Sequence, residues 1–278
     1  METLKPILKN LISNSVSRNK VFMMNLAKEY LQIIVLDFIY ANPKYSKMFF
    51  YGGSCLAQCF GLNRLSEDLD FVDSESNINI GDLSRDIEEY FLKNTDLELK
   101  TSTQKFRIYL KFPILAELGI SGGDPSETDF LILKVEVFSG FNFCKKYNTE
   151  IRPIFKFNKS VLIKTFDLPT LMSTKIRAIL NRKWEKRDKL NNIIIKVKGR
   201  DYFDLLWYLE KGVIPNLECI ENIKDVTELK NKLLETISNI DSQSIRLDLE
   251  AFIDNENFIN NISANLKDIL AREIKEKL

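Results

Sequence analysis

YGGSCLAQCFGLNRLSEDLDF, residues 51–71, runs from a Gly-Gly-Ser turn through a short helical stretch and a charged turn into an apolar strand. The preceding KMFFY reads as a short buried strand. SCLAQCFGL reads as a helix with Ser54 near its start and Gly61 at its end. EDLDFV is the next strand, and residues two apart in a strand project from one face. Asp68 and Asp70 therefore stand together, while Leu69 and Phe71 face a core. Two carboxylates held side by side repel and titrate abnormally unless a cation lies between them. Gly52 and Gly53 permit backbone angles, and a closeness of ligand to main chain, that other residues do not. Ser54 then opens a helix whose N-terminus suits a phosphate. The order strand, Gly-Gly-Ser, helix, turn, strand with Asp-x-Asp predicts a phosphate cradle (Gly52, Gly53, Ser54) at the end of one strand and a metal site on its neighbour. Each piece alone has a plainer explanation, a capped helix and a solvated strand end.

Outward from this stretch, residues 5 to 42 read as helices, halted by ANPKY because proline disfavours helix in the residue before it. IGDLSRDIEEYFLKN reads as an amphipathic helix. LELKTST, KFRIYLKF, FLILKVEVFS and SVLIKTF alternate or are rich in β-branched and aromatic residues, and read as strands. GISGGDPSETD, residues 119–129, is a turn-rich connection between two of them. In FLILKVEVFS the valines flanking Glu136 belong on a buried face, so Lys134 and Glu136 share the other. Glu136 is the candidate third carboxylate beside Asp68 and Asp70, for one or two divalent ions. From DLPTLMSTKIRAIL onward the period is helical to the end. The fold class is α+β: residues 1–165 form a mixed sheet with flanking helices, and residues 166–278 a helical bundle domain.

The chain's 278 residues are 45% hydrophobic and 28% charged, in the globular range, and its formal charge of +1 announces neither a nucleic-acid nor a membrane partner. It has no histidine, which excludes Ser-His-Asp and Cys-His catalysis and imidazole-held zinc. Carboxylate-held magnesium is the natural remaining class. The four cysteines (Cys55, Cys59, Cys144, Cys219) show no C-x-x-C spacing. They read as reduced, buried residues of a cytoplasmic protein. The most apolar window, LQIIVLDFIYA, is too short for a membrane span and carries Asp37. No secretory leader is legible.

The segment GGSCLAQCFGLNRLSEDLDF resembles the signature of the AbiEii/AbiGii toxin family of nucleotidyltransferases. That signature is a Gly-Gly-(Ser/Thr) turn, a short helix and an Arg-x-Ser-x-Asp-x-Asp-Phe segment, matched here by Gly53, Ser54, Arg64, Ser66, Asp68, Asp70 and Phe71. Further on, LMSTKIRAILNR supplies the family's helical lysine and following arginine as Lys175 and Arg182. GRDYFDLLW supplies its Arg-Asp-x-x-Asp as Arg200, Asp201 and Asp204. The matches cover roughly residues 50 to 210 in the family's order. The resemblance implies a nucleotidyltransferase-fold domain followed by a helical one. It also implies transfer of a nucleotide from an NTP, dependent on Mg²⁺ or Mn²⁺. Members are toxins of toxin–antitoxin or phage-defence systems, and some modify tRNA ends, so RNA or tRNA is the implied acceptor and an antitoxin an implied partner. The stretch between Arg182 and Arg200 is longer than the compact arrangement of many members, and both Asp201 and Asp204 remain candidates for the functional carboxylate.

The expected roles follow. Asp68 and Asp70 hold metal, and Glu136 completes the site or helps deprotonate the acceptor. Gly52, Gly53, Ser54 and Arg64 contact the nucleotide. Lys175 and Arg182, seven apart on one helix face, reach the triphosphate. Asp201 and Asp204, three apart on another helix, support the site. Between Lys175 and Arg200 ten Lys/Arg stand against two Asp/Glu, an excess suited to a triphosphate or an RNA backbone. The aromatics around it (KW, DYF, LLWY) are core or stack on bases. Two other functions fit the same fold: a nucleotide-binding sensor or partner-binding module, and a transferase that adenylylates a protein or small molecule.

Overall fold

The computed structural model describes residues 1–17, 19–120, 128–182, 185–188 and 190–278. Residues 1–141 and 150–165 form one unit; residues 142–149 and 166–278 form the second. The first begins with α1 (Lys5–Ser13) and α2 (Lys20–Ala41), then β1 (Phe49–Tyr51), α3 (Gly52–Cys59), β2 (Asp68–Asp73) and α4 (Ile80–Asn94). Strands β3 (Lys100–Gln104), β4 (Arg107–Pro113), β5 (Phe130–Ser139), β6 (Thr149–Lys156) and β7 (Lys159–Phe166) follow. Seven strands form one mixed sheet in the order β3-β4-β5-β2-β1-β7-β6. β2 lies near its middle, antiparallel to β1 and parallel to β5.

Helix α2 starts where the Asn19 side chain accepts the backbone N–H groups of Val21 and Phe22 at 2.9 and 3.2 Å, an ordinary N-cap. Leu31, Ile33, Ile34, Val35 and Leu36 are all buried, so this half of α2 is apolar all round, as a core helix is. Against that background the buried Gln32 has a job. Its Nε2 donates to the Ser66 carbonyl at 2.9 Å, and its Oε1 accepts from Gln58 Nε2 at 3.2 Å. The core helix thus fixes the loop two residues before Asp68. Helix α4 spans the segment read as amphipathic, with Leu83, Ile87 and Phe91 buried at spacings of four.

The second unit contains α5 (Leu168–Asn181), β8 (Lys186–Arg187), β9 (Ile193–Ile195), α6 (Gly199–Glu210), a 3₁₀ turn (Leu217–Cys219), α7 (Val226–Ser238), α8 (Ser242–Leu249) and α9 (Glu256–Lys277). Four of its helices start on a carboxylate or amide cap. Asp167, Asp225, Asp241 and Asn255 accept the N–H of the residue three ahead at 2.8–3.0 Å. Helices α6 and α8 meet at Gly199, where a Cβ would lie 2.9 Å from Ile245 Cα and 3.0 Å from its carbonyl oxygen. Asp248 on α8 accepts the Arg200 N–H at 2.8 Å and so caps α6 from across that contact.

Three expectations need correction. The C-terminal half is not helical throughout: β8 and β9 form an antiparallel hairpin between α5 and α6. Its longest apolar run is three isoleucines, too short for a periodicity to register. TEIRPIFK, unassigned in the sequence, is the strand β6. Pro153 obscures the strand pattern, and β6 lies at the sheet edge, where proline is tolerated. Cys144 and Cys219 are not reduced but joined in a disulfide. They are 75 residues apart, so local spacing carries no sign of the pairing. Of the predicted 119–129 connection, residues 121–127 lie outside the described residues, as do Lys183 and Trp184. No helix among the described residues is long and apolar enough to cross a membrane.

Because the methyl group of Gly199→Ala would meet backbone rather than a flexible side chain, the variant is expected to lose about 1–3 kcal/mol of stability. The check is urea denaturation, where the midpoint should fall with the slope unchanged.

Candidate functional site

The Asp68–Asp70 group assembles from β1, α3, β2 and β5 in the first unit. The antiparallel register places Tyr51 opposite Asp70, and the parallel register places Asp68 beside Lys134 and Asp70 beside Glu136. Leu69, Phe71, Val135 and Val137 are buried, while Asp68, Asp70, Lys134 and Glu136 are partly exposed. The four polar side chains therefore share one sheet face, as the alternation predicts.

The Gly-Gly turn shapes the space around Asp70. Gly52 has φ +81°, and a Cβ there would sit 2.4 Å from Asp70 Oδ2. Two constraints thus coincide at one residue: a left-handed backbone and contact with the carboxylate. A Cβ on Gly53 would meet Arg64 Nη2 at 2.8 Å and Ser66 Oγ at 3.2 Å. The Arg64 and Ser66 of the second half of the motif are thus packed against the glycines of the first. Arg64 is buried, and its Nη1 donates to the Leu65 carbonyl at 2.7 Å. Ser54 does not cap the helix. It is the third residue of α3, buried, and its hydroxyl donates to the Asp68 carbonyl. It anchors the strand that carries both aspartates. Cys55, next to it, shares a hydrogen bond with Thr165 Oγ1 at 3.1 Å, and burial pushes its thiol pKa well up, so it remains a protonated packing residue.

Burial raises the Asp68 pKa, and Glu67 raises it further; Lys134, 3.6 Å away, opposes both. Glu136 Oε1 accepts from Arg107 Nε at 2.6 Å. Arg107 was missed in the sequence because only the β4–β5 register, Arg107 opposite Glu136, brings it there. Lys134 was legible from the alternation. Among the described residues no three His, Cys, Asp or Glu side chains are drawn together as a metal cluster. Two carboxylates on one strand face nevertheless fit the donor chemistry of Mg²⁺, which is commonly held by one or two carboxylates plus substrate phosphates.

The second group is in the other unit. Lys175 on α5 donates to Asp201 Oδ1 at 2.9 Å and lies 2.8 Å from Asp204 Oδ2, both on α6. Arg182, the C-cap residue of α5, donates to Asp201 Oδ2 at 2.8 Å. The structure thus brings the two expected cations, Lys175 and Arg182, against the two expected supporting carboxylates, Asp201 and Asp204. Burial pushes the Asp201 pKa up, but Lys175 and Arg182 outweigh it and lower it to about 2. Arg200 turns elsewhere: its Nε lies 3.3 Å from Asp248 Oδ2, and its guanidinium stacks 4.1 Å from the Phe252 ring. The Arg of the Arg-Asp-x-x-Asp motif therefore braces α6 against α8.

Two variants test these geometries. Gly52→Ala forces a Cβ into a left-handed backbone, costing about 1–2 kcal/mol, and displaces Asp70 as well. Chemical denaturation should report a loss of at least that size. Lys175→Met leaves Asp201 and Asp204 as buried charges without their shared cation, an expected loss of about 3–5 kcal/mol near neutral pH. The sign with pH is fixed. In the wild type, the Asp201 contribution is present above the ordinary carboxylate range and is lost as pH falls toward its lowered value. In the variant, protonation relieves the penalty. The stability gap between the two should therefore narrow as pH falls from about neutral to about 4.

Residues 35–276 match the family described as Nucleotidyl transferase AbiEii toxin, Type IV TA system. Among solved structures, MenT4, a nucleotidyltransferase toxin from Mycobacterium tuberculosis H37Rv, aligns over 97% of this chain and 88% of its own at 9% identity, with a TM-score of 0.53. JHP933 from Helicobacter pylori aligns over 94% of this chain and 96% of its own at 18% identity, with a TM-score of 0.50. At these identities the likeness is one of fold. No curated protein is similar enough in sequence to stand beside them.

Proposed function

The chain belongs to the AbiEii family of nucleotidyltransferase toxins, and we propose that it transfers a nucleotide from an NTP to an acceptor hydroxyl of RNA, with tRNA foremost, in a divalent-metal-dependent reaction. The observation that carries this reading is the paired projection of Asp68 and Asp70 beside Glu136 on one sheet face, next to the turn at Gly52.

In this reading Asp68 and Asp70 hold Mg²⁺ or Mn²⁺. When bound, the ion offsets negative charge on the nucleotide phosphates and on the acceptor oxygen. The protein's own contributions are separable. Gly52 leaves room for the Asp70 carboxylate against the turn, and Gly53 leaves room for the Arg64 and Ser66 side chains behind it. Ser54 holds the Asp68 carbonyl, so the strand cannot drift as substrate enters. Arg64 fills the back of the turn. Glu136 completes the carboxylate set or accepts the acceptor's proton; Arg107 holds its Oε1, and Oε2 is the atom for either role. In the second unit, Lys175 and Arg182 bind triphosphate oxygens, and Asp201 and Asp204 keep the lysine charged and fixed. Cations placed in advance need no reorganisation as charge develops in phosphoryl transfer. Membership of a family of type IV toxins supports a cognate antitoxin as a further partner.

The test incubates purified protein with each labelled NTP, Mg²⁺ and total tRNA. The expected result is label on RNA from one preferred NTP, lost in Asp70→Asn. Incorporation that survives Asp70→Asn would sink the assignment of that carboxylate. Label recovered on protein or a small molecule instead of RNA would redirect the acceptor.

A further inference from the structure

Strands β3, β4 and β5 carry four cations, Lys100, Arg107, Lys111 and Lys134, and one acid, Glu136. The register puts all five on one sheet face. Lys100 lies opposite Lys111, Arg107 opposite Glu136, and Tyr109 between Ser102 and Lys134. Along β4 and β5, up to Phe138, buried residues alternate with partly exposed ones, so this face is the solvated one. It is also the face of the aspartates, because β5 pairs with β2, Lys134 beside Asp68 and Glu136 beside Asp70.

Two of the four cations are engaged: Arg107 holds Glu136, and Lys134 lies 3.6 Å from Asp68. The other two face each other across β3 and β4. Like charges directly opposite in an antiparallel pair destabilise it. Among the described residues no acid pairs with Lys100 or Lys111, and Glu98, exposed two positions before Lys100, pairs with neither. An anion bound between the two lysines would remove the repulsion. At the opposite end of the face, the turn between β3 and β4 sets Phe106 against Phe138, ring centroids 4.6 Å apart. The Phe106 carbonyl accepts the Val137 N–H at 2.9 Å, which ties this turn to β5. Both rings are partly exposed, and the Arg107 guanidinium lies 4.8 Å from the Phe106 ring. Glu136 therefore stands between a pair of aromatic rings and a seat for an anion. A ligand that alternates flat bases with phosphates engages both ends. A single nucleotide held at the aspartates leaves the lysine pair without a role.

We propose that this face is the track of a single-stranded acceptor RNA: its terminal base stacks on Phe106 and Phe138, its terminal hydroxyl lies at Glu136, and an upstream phosphate sits between Lys100 and Lys111. The proposal rests on the reading of the acceptor as RNA and names the surface that receives it.

The experiment measures binding of a short oligoribonucleotide to the full chain by anisotropy, and separately of a fluorescent NTP analogue. For Lys100→Ala/Lys111→Ala, RNA affinity should fall about threefold to tenfold at about 50 mM salt, and the slope of log affinity against log salt should shrink by about 0.7. NTP affinity should not change. The urea midpoint of this variant should hold or rise, because a repulsion is removed, which a structural role for the pair would not allow. A second oligoribonucleotide carries a terminal purine whose fluorescence is quenched by stacking. Its quench on binding should be lost in Phe106→Leu/Phe138→Leu and kept in Phe106→Tyr/Phe138→Tyr. An unchanged affinity and slope in the lysine variant, or an unchanged quench in the leucine variant, overturns the track alone. A fall in NTP affinity with RNA affinity unchanged also overturns it, assigning the face to the donor nucleotide. A wild-type protein that binds no RNA even at low salt overturns the track and the RNA-acceptor reading together.

Discussion

The left-handed turn at Gly52 is the constraint on which the first unit's chemistry depends. It lets β1 pass directly into α3 with no intervening loop, so the helix starts beside the strand that carries the aspartates. The missing Cβ is what allows Asp70 to lie against the turn. Everything near it reinforces that placement. Ser54 holds the Asp68 carbonyl, Gln32 holds the Ser66 carbonyl from the core helix, and Arg64 packs behind Gly53. Two polar side chains inside an apolar core are costly unless satisfied. Here each is satisfied by the backbone of the loop it must fix, or by a neighbour that does so.

The two groups of candidate residues are electrostatic opposites. On the first unit's sheet face, burial and Glu67 push the Asp68 pKa up, and Lys134 compensates only in part. In the second unit, burial acts on Asp201 in the same direction, yet Lys175 and Arg182 reverse it. Where burial outweighs the nearby lysines the carboxylate is pushed up, and where fixed cations outweigh burial it is pulled down. The first pattern suits the recruitment of a cation, the second the fixing of one that belongs to the chain. Lys175 is held between two aspartates, one of them wholly buried. That geometry fixes its position as well as its charge.

Much of this was legible in the sequence because it is local. Strand alternation separates Asp68 and Asp70 from Leu69 and Phe71, and gives the shared face of Lys134 and Glu136. Helical spacing gives α4 and puts Asp201 and Asp204 on one side of α6. What was not legible depends on long-range pairing. Arg107 reaches Glu136 only through the β4–β5 register, and Cys144 meets Cys219 only once the chain has folded. The role of Ser54 was half legible. The motif marks its position, but a serine at a helix start signals a cap, and only the structure shows it donating to a neighbouring strand. Arg200 was misleading for a similar reason, since its motif partner Asp201 is next to it in sequence but its contacts lie on α8.

The segment 142–149 leaves the sheet after β5, joins the second unit and returns to the sheet as β6. Within the second unit it is tied down repeatedly. The Cys144–Cys219 bond, Lys146 accepting from Asn216 Nδ2 at 2.7 Å, and Asn148 accepting from the Asp167 N–H at 3.1 Å all hold it. The second unit is therefore not a contiguous stretch of the gene. Any attempt to express the halves separately, or to exchange the helical half between relatives, must carry this eight-residue excursion with it. A cut at one point strands Cys144 with the wrong half. A modular shuffling of the two units would need two coordinated crossovers instead of one.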